Sequence, residues 1–334
     1  MVEGTEGSHS HKEGPIKMSK HNMMCAGIDT GKNKLDVAIA GSAERWCFAN
    51  TPQGHAGLLA WLRAHHVERI GIEASGGYER AVVAEMRGAG FVVIMFQPAQ
   101  VRSYARFRLQ RAKNDKIDAG LVADCTAATE TIHAPPDPRL VMLAEHQTLI
   151  DQIIEDIATL KNRRESAREK PHRQFWSAQI SDLKRKEKDE LKKLVAAIRA
   201  HDDLARRLDL IASVDGVGLP TAVAILVRLP EIGRVSREEV AALAGLAPYD
   251  DDSGERSGAK HIAGGRERLR KVLYNASLAA AYHWNPQLIA FKDRLLAAGK
   301  LHKVMRVACA RKLLIFVNTV VARGTSWVSS PIPA

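Results

Sequence analysis

The sequence predicts an α/β domain followed by an all-α region. Three observations carry this. Short β-branched, apolar runs alternate with helix-patterned segments between about residues 25 and 128. A long apolar stripe with helical spacing follows over residues 139–169, and beyond Leu208 the segments 210–229, 236–247, 272–283 and 301–323 read as helix around one polar, Gly-rich loop. Hydrophobic residues make up 46% of the 334, enough for packed cores, which excludes a disordered chain.

Taken in order, residues 1–22 are polar, lack an apolar signal-peptide core and are expected to form a mobile tail. Residues 25–31 (CAGIDTG), 34–40 (LDVAIAG) and 45–50 read as a strand meander. Residues 55–66 carry Leu58, Leu59 and Leu62 at helical spacing. Residues 69–73 (RIGIE) read as a buried strand ended by Gly76-Gly77, 78–89 as a helix with Val82, Val83 and Met86 inward, 91–95 as another strand and 115–128 as a helix. This alternation points to a partly parallel sheet. Pro135, Pro136 and Pro138 mark a boundary. In the long helix, Leu143, Ile150, Ile153, Ile157 and Leu160 share a stripe; Pro171 interrupts it and a charged helix follows, giving a helical hairpin or coiled coil over 139–207. The run KRKEKDELKK in it is expected to be a solvated face. Residues 208–327 form the helical C-terminal region, and 328–334 a tail.

Lys and Arg total 49 against 38 Asp and Glu, a net charge of +11, which favours a polyanionic partner. Aromatics at 5% argue against recognition built mainly on base stacking. The four cysteines are scattered, with no CxxC pair, so neither a zinc site nor a disulfide framework is expected and a reducing cytoplasm fits. No stretch is long and apolar enough to span a bilayer.

Four acids stand out. Asp29 and Glu73 each end a strand, and Asp115 and Asp118 share one face at the start of a helix in KNDKIDA. Four carboxylates converging on one point repel unless divalent cations relieve them, and hard oxygen ligands suit Mg²⁺ or Mn²⁺. Two such ions can clamp the attacking and leaving oxygens of a phosphodiester. Candidate phosphate contacts are Arg102, Arg106, Arg108, Arg111 and Lys113 before the DxxD; Arg266, Arg268, Arg270 and Lys271; and Lys303, Arg306, Arg311 and Lys312. GVGLP at 216–220 reads either as a helix-hairpin-helix turn that offers N–H groups to phosphate or as a plain inter-helix turn.

GIDTGKNKLDVAI, GIEASGGYE and AKNDKIDA resemble the acidic motifs of the DEDD insertion-sequence transposases, a family related to the Piv-type DNA invertases. LIASVDGVGLPTAVAIL, LAALAGLAPYDDDSGERSGAKHIAGGRERLRKVLY and ARKLLIFV are similar to that family's second domain, and the resemblance covers most of residues 24–327. It implies an RuvC-like (RNase H-type) catalytic domain over 23–138 that binds Mg²⁺, DNA strand cleavage and exchange, and a serine in the second domain that links transiently to DNA. The matching residue is Ser253, in YDDDSGERSG, with Ser257 as its competitor. The resemblance further implies donor and target DNA as partners, in some members a structured noncoding guide RNA, and work as a homo-oligomer, a dimer or tetramer. Two other readings stay open: an RuvC-like nuclease that needs the four acids but not Ser253, and a non-catalytic nucleic-acid-binding assembly protein that needs only the basic runs.

Overall fold

A computed structural model of the chain describes residues 16–17, 23–109, 115–132, 137–249 and 261–329; at 16–17, 115–118 and 131–132 it describes backbone alone. The chain divides into two compact units, Met1–Pro135 and Pro136–Ala334. Among the described residues no helix is long and apolar enough to cross a membrane.

The first unit is the mixed α/β layer that the alternating pattern predicts. A two-residue ladder pairs β1 (Ile16–Lys17) with β7 (Thr131–Ile132). The main sheet holds β2 (Cys25–Thr30), β3 (Lys34–Ile39), β4 (Arg45–Ala49), β5 (Arg69–Glu73) and β6 (Val92–Phe96) in the order β4-β3-β2-β5-β6. The meander β2–β4 is antiparallel, while β2, β5 and β6 run parallel.

Because side chains alternate along a strand, the sheet has two distinct faces. Ile28, Leu35, Val37, Ile70, Ile72 and Val93 point to one face. There they pack on Leu58 and Leu62 of α1 (Pro52–Ala64) and on Val82, Val83 and Met86 of α2 (Arg80–Gly88). Thr51 caps α1 by accepting from the Gly54 amide at 3.2 Å.

The other face receives α3 (Pro98–Phe107) and α4 (Asp115–Ala128), with Phe96, Val101, Leu121, Val122 and Cys125 forming a second core. Two glycines admit α4. Gly27 and Gly71 are directly paired across β2 and β5. A Cβ on Gly27 would stand 2.1 Å from the Ala123 nitrogen, and one on Gly71 1.8 Å from Thr126 Oγ1. The helix backbone therefore lies directly on the sheet at this row, closer than any side chain permits.

The second unit is all-α apart from one small ladder. α5 (Pro138–Ser166) and α6 (Lys170–Arg199) form an antiparallel hairpin, with Pro171 in the first turn of α6. His146 meets Glu190 at 2.8 Å near one end, and Arg163 lies over the Trp176 ring near the other. The KRKEKDELKK run is the solvated face expected: Lys186 pairs with Asp182 and Lys193 with Glu190, one turn apart. Arg139 bridges the N-cap Asp137 of α5 to Asp203 at the start of α7 (Asp202–Ala212).

A Gly-containing turn joins α7 to α8 (Leu219–Arg228), whose Ala222–Val227 stretch is buried all round. Around it stand α9 (Arg237–Leu243), α10 (Glu267–Ala279), α11 (Pro286–Ala297) and α12 (His302–Arg323), with a π-helical turn, Ala280–Trp284, after α10. Gly216 in the GVG turn has φ +90°, and a Cβ there would meet Ala280 Cβ at 2.3 Å. Packing within the chain therefore accounts for that glycine, as in a plain inter-helix turn.

The glycine row yields a stability prediction. Gly27→Ala or Gly71→Ala forces backbone or a buried hydroxyl aside and is expected to destabilise by about 1–3 kcal/mol or more. Gly88→Ala, where an added Cβ meets nothing within 4 Å, is expected to be neutral or slightly stabilising. Urea unfolding midpoints of the three variants check this.

Candidate active site

Strands β2 and β5 end in the same three-residue pattern, Gly-Ile-acid, and the parallel register matches them: Gly27 with Gly71 and Ile28 with Ile72. Asp29 and Glu73 follow one step on, side by side on the face that α4 covers. In the antiparallel direction Asp29 is directly opposite Asp36 of β3. One row across the sheet thus carries Asp36, Asp29 and Glu73. Asp36 is ion-paired with Lys34 at 2.7 Å. Sequence reasoning missed Asp36; its signal was the alternation of LDVAI, which puts an acid where the opposite face is apolar.

α4 is oriented by its contacts. Its Ala119 and Ala123 backbone lies on Gly27, Thr126 lies at Gly71, and the Thr129 carbonyl accepts from Arg69 Nη1 at the start of β5. The helix therefore descends from the edge where the strands end toward the edge where they begin. Its first turn, residues 115–118, is the end away from Arg69. The side chains of Asp115 and Asp118 lie outside the described residues. Among the described residues no three His, Cys, Asp or Glu side chains gather closely enough to hold a metal ion.

A polar network ties the two acid-bearing strand ends together. Asn50 Nδ2 donates to the Gly31 carbonyl, just past Asp29, at 2.9 Å and to the Tyr78 carbonyl, in the loop after Glu73, at 3.1 Å. With its nitrogen so committed, Asn50 Oδ1 accepts from His55 Nε2 at 2.8 Å. The other ring nitrogen of His55 meets Glu85 Oε1 at 3.0 Å. His55 is buried in the first turn of α1, on the stripe of Leu58 and Leu62, which was the available sequence signal.

Glu79 orders the loop after Glu73. Its carboxylate accepts from the Ser75 amide at 3.1 Å, the Ser75 hydroxyl at 2.8 Å and the Gly77 amide at 2.9 Å. Partial burial works against its charge, but the donated hydrogen bonds outweigh burial and hold the carboxyl below its ordinary value.

The candidate phosphate contacts divide sharply. Arg102, Arg106 and Arg108 are exposed. Arg111 and Lys113 lie outside the described residues. In the second unit Arg266 grips Glu231 with two bonds of 2.7 and 2.6 Å. Arg268 is 3.6 Å from Asp151, which also takes an ion pair from Arg228. Arg270 donates to the Gly264 carbonyl at 2.7 Å. These three arginines brace the fold, a use that their sequence pattern does not distinguish from phosphate binding. Lys271 and Lys303 are exposed. Arg306 lies 3.7 Å over the Tyr274 ring. Arg311 and Lys312 line an apolar cavity of about 450 Å³ with Phe291 and Phe316. Burial and the nearby Arg294 lower the Lys312 ammonium below its ordinary value.

Ser253 and Ser257 lie outside the described residues, but both ends of their segment are described. A ladder pairs β8 (Pro248–Tyr249) with β9 (His261–Ile262). Behind it Gly245 and Gly265 pack back to back: a Cβ on Gly265 would stand 2.2 Å from the Gly245 nitrogen. The two ends of the segment that carries the serines are thus held together at its base.

Glu79 gives a pH prediction. A depressed carboxyl stabilises the fold above the unfolded Glu value of about 4.3, and that contribution is lost as pH falls through the lower folded value. Wild type is therefore expected to melt above Glu79→Gln near neutral pH, with the gap closing below about pH 4. Melting curves of both proteins across that range test it.

Comparison with known proteins agrees with this architecture. Residues 26–167 match the DEDD transposase model of the IS110 group, and residues 208–293 match the IS116/IS110/IS902 transposase family. The chain is 28% identical over 316 residues to the pilin gene-inverting protein of Moraxella bovis, covering 88% of this chain and 94% of that protein. It is 27% identical to the pilin gene-inverting protein of Moraxella lacunata, with the same coverage. With both its units matched, the chain belongs to the IS110-type DEDD transposase family and is an enzyme that acts on DNA.

Proposed function

We propose that the chain exchanges DNA strands at a composite site formed by Asp29, Glu73, Asp115 and Asp118 together with Ser253. The observation that carries this reading is the matched register of the Gly-Ile-acid strand ends, which makes Asp29 and Glu73 neighbours on the α4 face. The donor set is all carboxylate, which fits Mg²⁺ or Mn²⁺ and not a soft metal. When bound, such ions neutralise charge on the attacking and leaving oxygens of a phosphodiester.

The chain's own residues do the rest. The four acids hold the site's geometry, and Ser253 Oγ attacks the phosphorus, displaces a DNA hydroxyl and keeps the strand as a phosphoserine. Attack by a hydroxyl of the second strand reverses the step and frees the serine. No phosphodiester is hydrolysed, so exchange needs no external energy source. A guide RNA encoded beside the gene and a homo-oligomer complete the proposal.

Substitutions separate the parts. Ser253→Ala is expected to abolish both a denaturation-resistant protein–DNA adduct and strand exchange, by about 10⁴-fold or more, while DNA binding persists. Ser257→Ala should retain both activities. Asp29→Asn is expected to abolish all cleavage. Should Ser253→Ala still nick DNA in Mg²⁺, the chain is a nuclease of the RuvC type; should Asp29→Asn keep full activity, the acid site is wrong.

The RNA component has its own test. Protein purified from cells that carry the gene with its native flanks is expected to bring down one discrete RNA encoded in those flanks. Sequencing only a heterogeneous background would remove the guide from the proposal and leave DNA recognition to the protein.

A further inference from the structure

The end of α3 holds two large apolar side chains out in solvent. Phe107 is 80% exposed and Leu109 85% exposed. One helical turn and a half earlier, Val101 is buried in the second core, so the same segment can turn apolar groups inward. The Phe107 ring only leans toward Tyr104, with centroids 6.4 Å apart. Leu109 has φ +55°, a left-handed conformation rare for a branched residue.

The surroundings are basic. Arg102, Arg106 and Arg108 are all exposed, and none of the three has an ion-pair partner among the described residues. Arg102 and Arg106 are one turn apart on α3 and share a face. A purely apolar protein partner would leave these charges desolvated and unpaired, which is costly. DNA satisfies both features at once, with phosphates outside and apolar base faces inside. The segment also directly precedes the chain that leads into α4 and its two aspartates.

We propose that Phe107 and Leu109 form a wedge that enters between base steps of the DNA, while Arg102, Arg106 and Arg108 hold the flanking phosphates. Apolar wedges of this type unstack a step and bend the duplex. The inference rests on DNA as the substrate and needs neither the metal nor the serine.

The test uses the full chain in EDTA, so that no strand is cut, and two duplexes of one sequence, fully paired or with a two-nucleotide bulge. A wedge prefers DNA that is already unstacked, and one stacked base supports roughly a tenfold difference in Kd. Wild type is expected to bind the bulged duplex about tenfold tighter, and Phe107→Ala/Leu109→Ala to lose that preference while its affinity for paired DNA changes little. Phe107→Trp should restore it. Arg102→Ala, Arg106→Ala and Arg108→Ala should each weaken both duplexes alike and lower the salt slope by about 0.9. These positions are exposed, and unchanged melting temperatures confirm folding. Retention of the bulge preference by the double alanine variant overturns the wedge, as does wild-type protein that binds both duplexes equally or neither.

Discussion

The first unit depends on one close approach, the backbone of α4 lying on the paired glycines of β2 and β5. Side chains normally separate a helix from a sheet by several ångströms, and here that spacer is removed at a single row. Everything near the row follows. The acids one step beyond Gly27–Ile28 and Gly71–Ile72 must point to the face where α4 lies, because strand side chains alternate. The isoleucines between them must point to the opposite core, where both are fully buried. A Gly-Ile-acid tripeptide thus assigns three jobs to three consecutive residues, and two parallel copies in register put two carboxylates together.

Holding two carboxylates together costs energy, and the unit meets that cost with neutral and charged braces around the row. Asn50 spans the gap between the two strand ends by donating to one carbonyl on each side. His55 fixes the orientation of Asn50, and Glu85 fixes His55. Glu79 closes the loop beyond Glu73 on its own backbone. These groups restrain the backbone on either side of the Asp29–Glu73 row, the support that reacting groups need from their neighbours.

Local pattern was enough to read the main strands, the 115–128 helix, the α5–α6 hairpin and both strand-end acids, because each depends on spacing within about ten residues. What escaped depends on pairing between distant segments. The Gly27–Gly71 match and the Asp36–Asp29 opposition are facts of register, visible only once β2, β3 and β5 are aligned. α3 was hidden by its arginines, which read as a basic run, and α11 by a short segment that starts at Pro286 and buries only Leu288. The basic helix α10 taught the converse lesson. Arg266 and Arg270 look like phosphate ligands in one dimension, yet one locks to Glu231 and the other clamps the turn at Gly264.

That lesson changes what the net charge of +11 means. Much of the chain's positive charge is already spent: α6 pairs Lys186, Lys192 and Lys193 within single turns, and Arg139, Arg228 and Arg266 each face a carboxylate. The charge that acts on a polyanion is the remainder that no acid answers. Among the described residues it includes Arg102, Arg106 and Arg108 on α3 in the first unit, and Lys312 beside the apolar cavity in the second. Each set adjoins a segment singled out for chemistry, the approach to the DxxD in one unit and the β8–β9 base of the serine segment in the other. Unanswered cations raise the local concentration of phosphate only within about a Debye length, ~8 Å at physiological salt. Cations placed to act on catalysis must therefore lie close to the reacting groups, whereas cations needed only for solubility can lie anywhere. Their positions, more than their number, are what supports the proposal that these cations meet a nucleic-acid backbone.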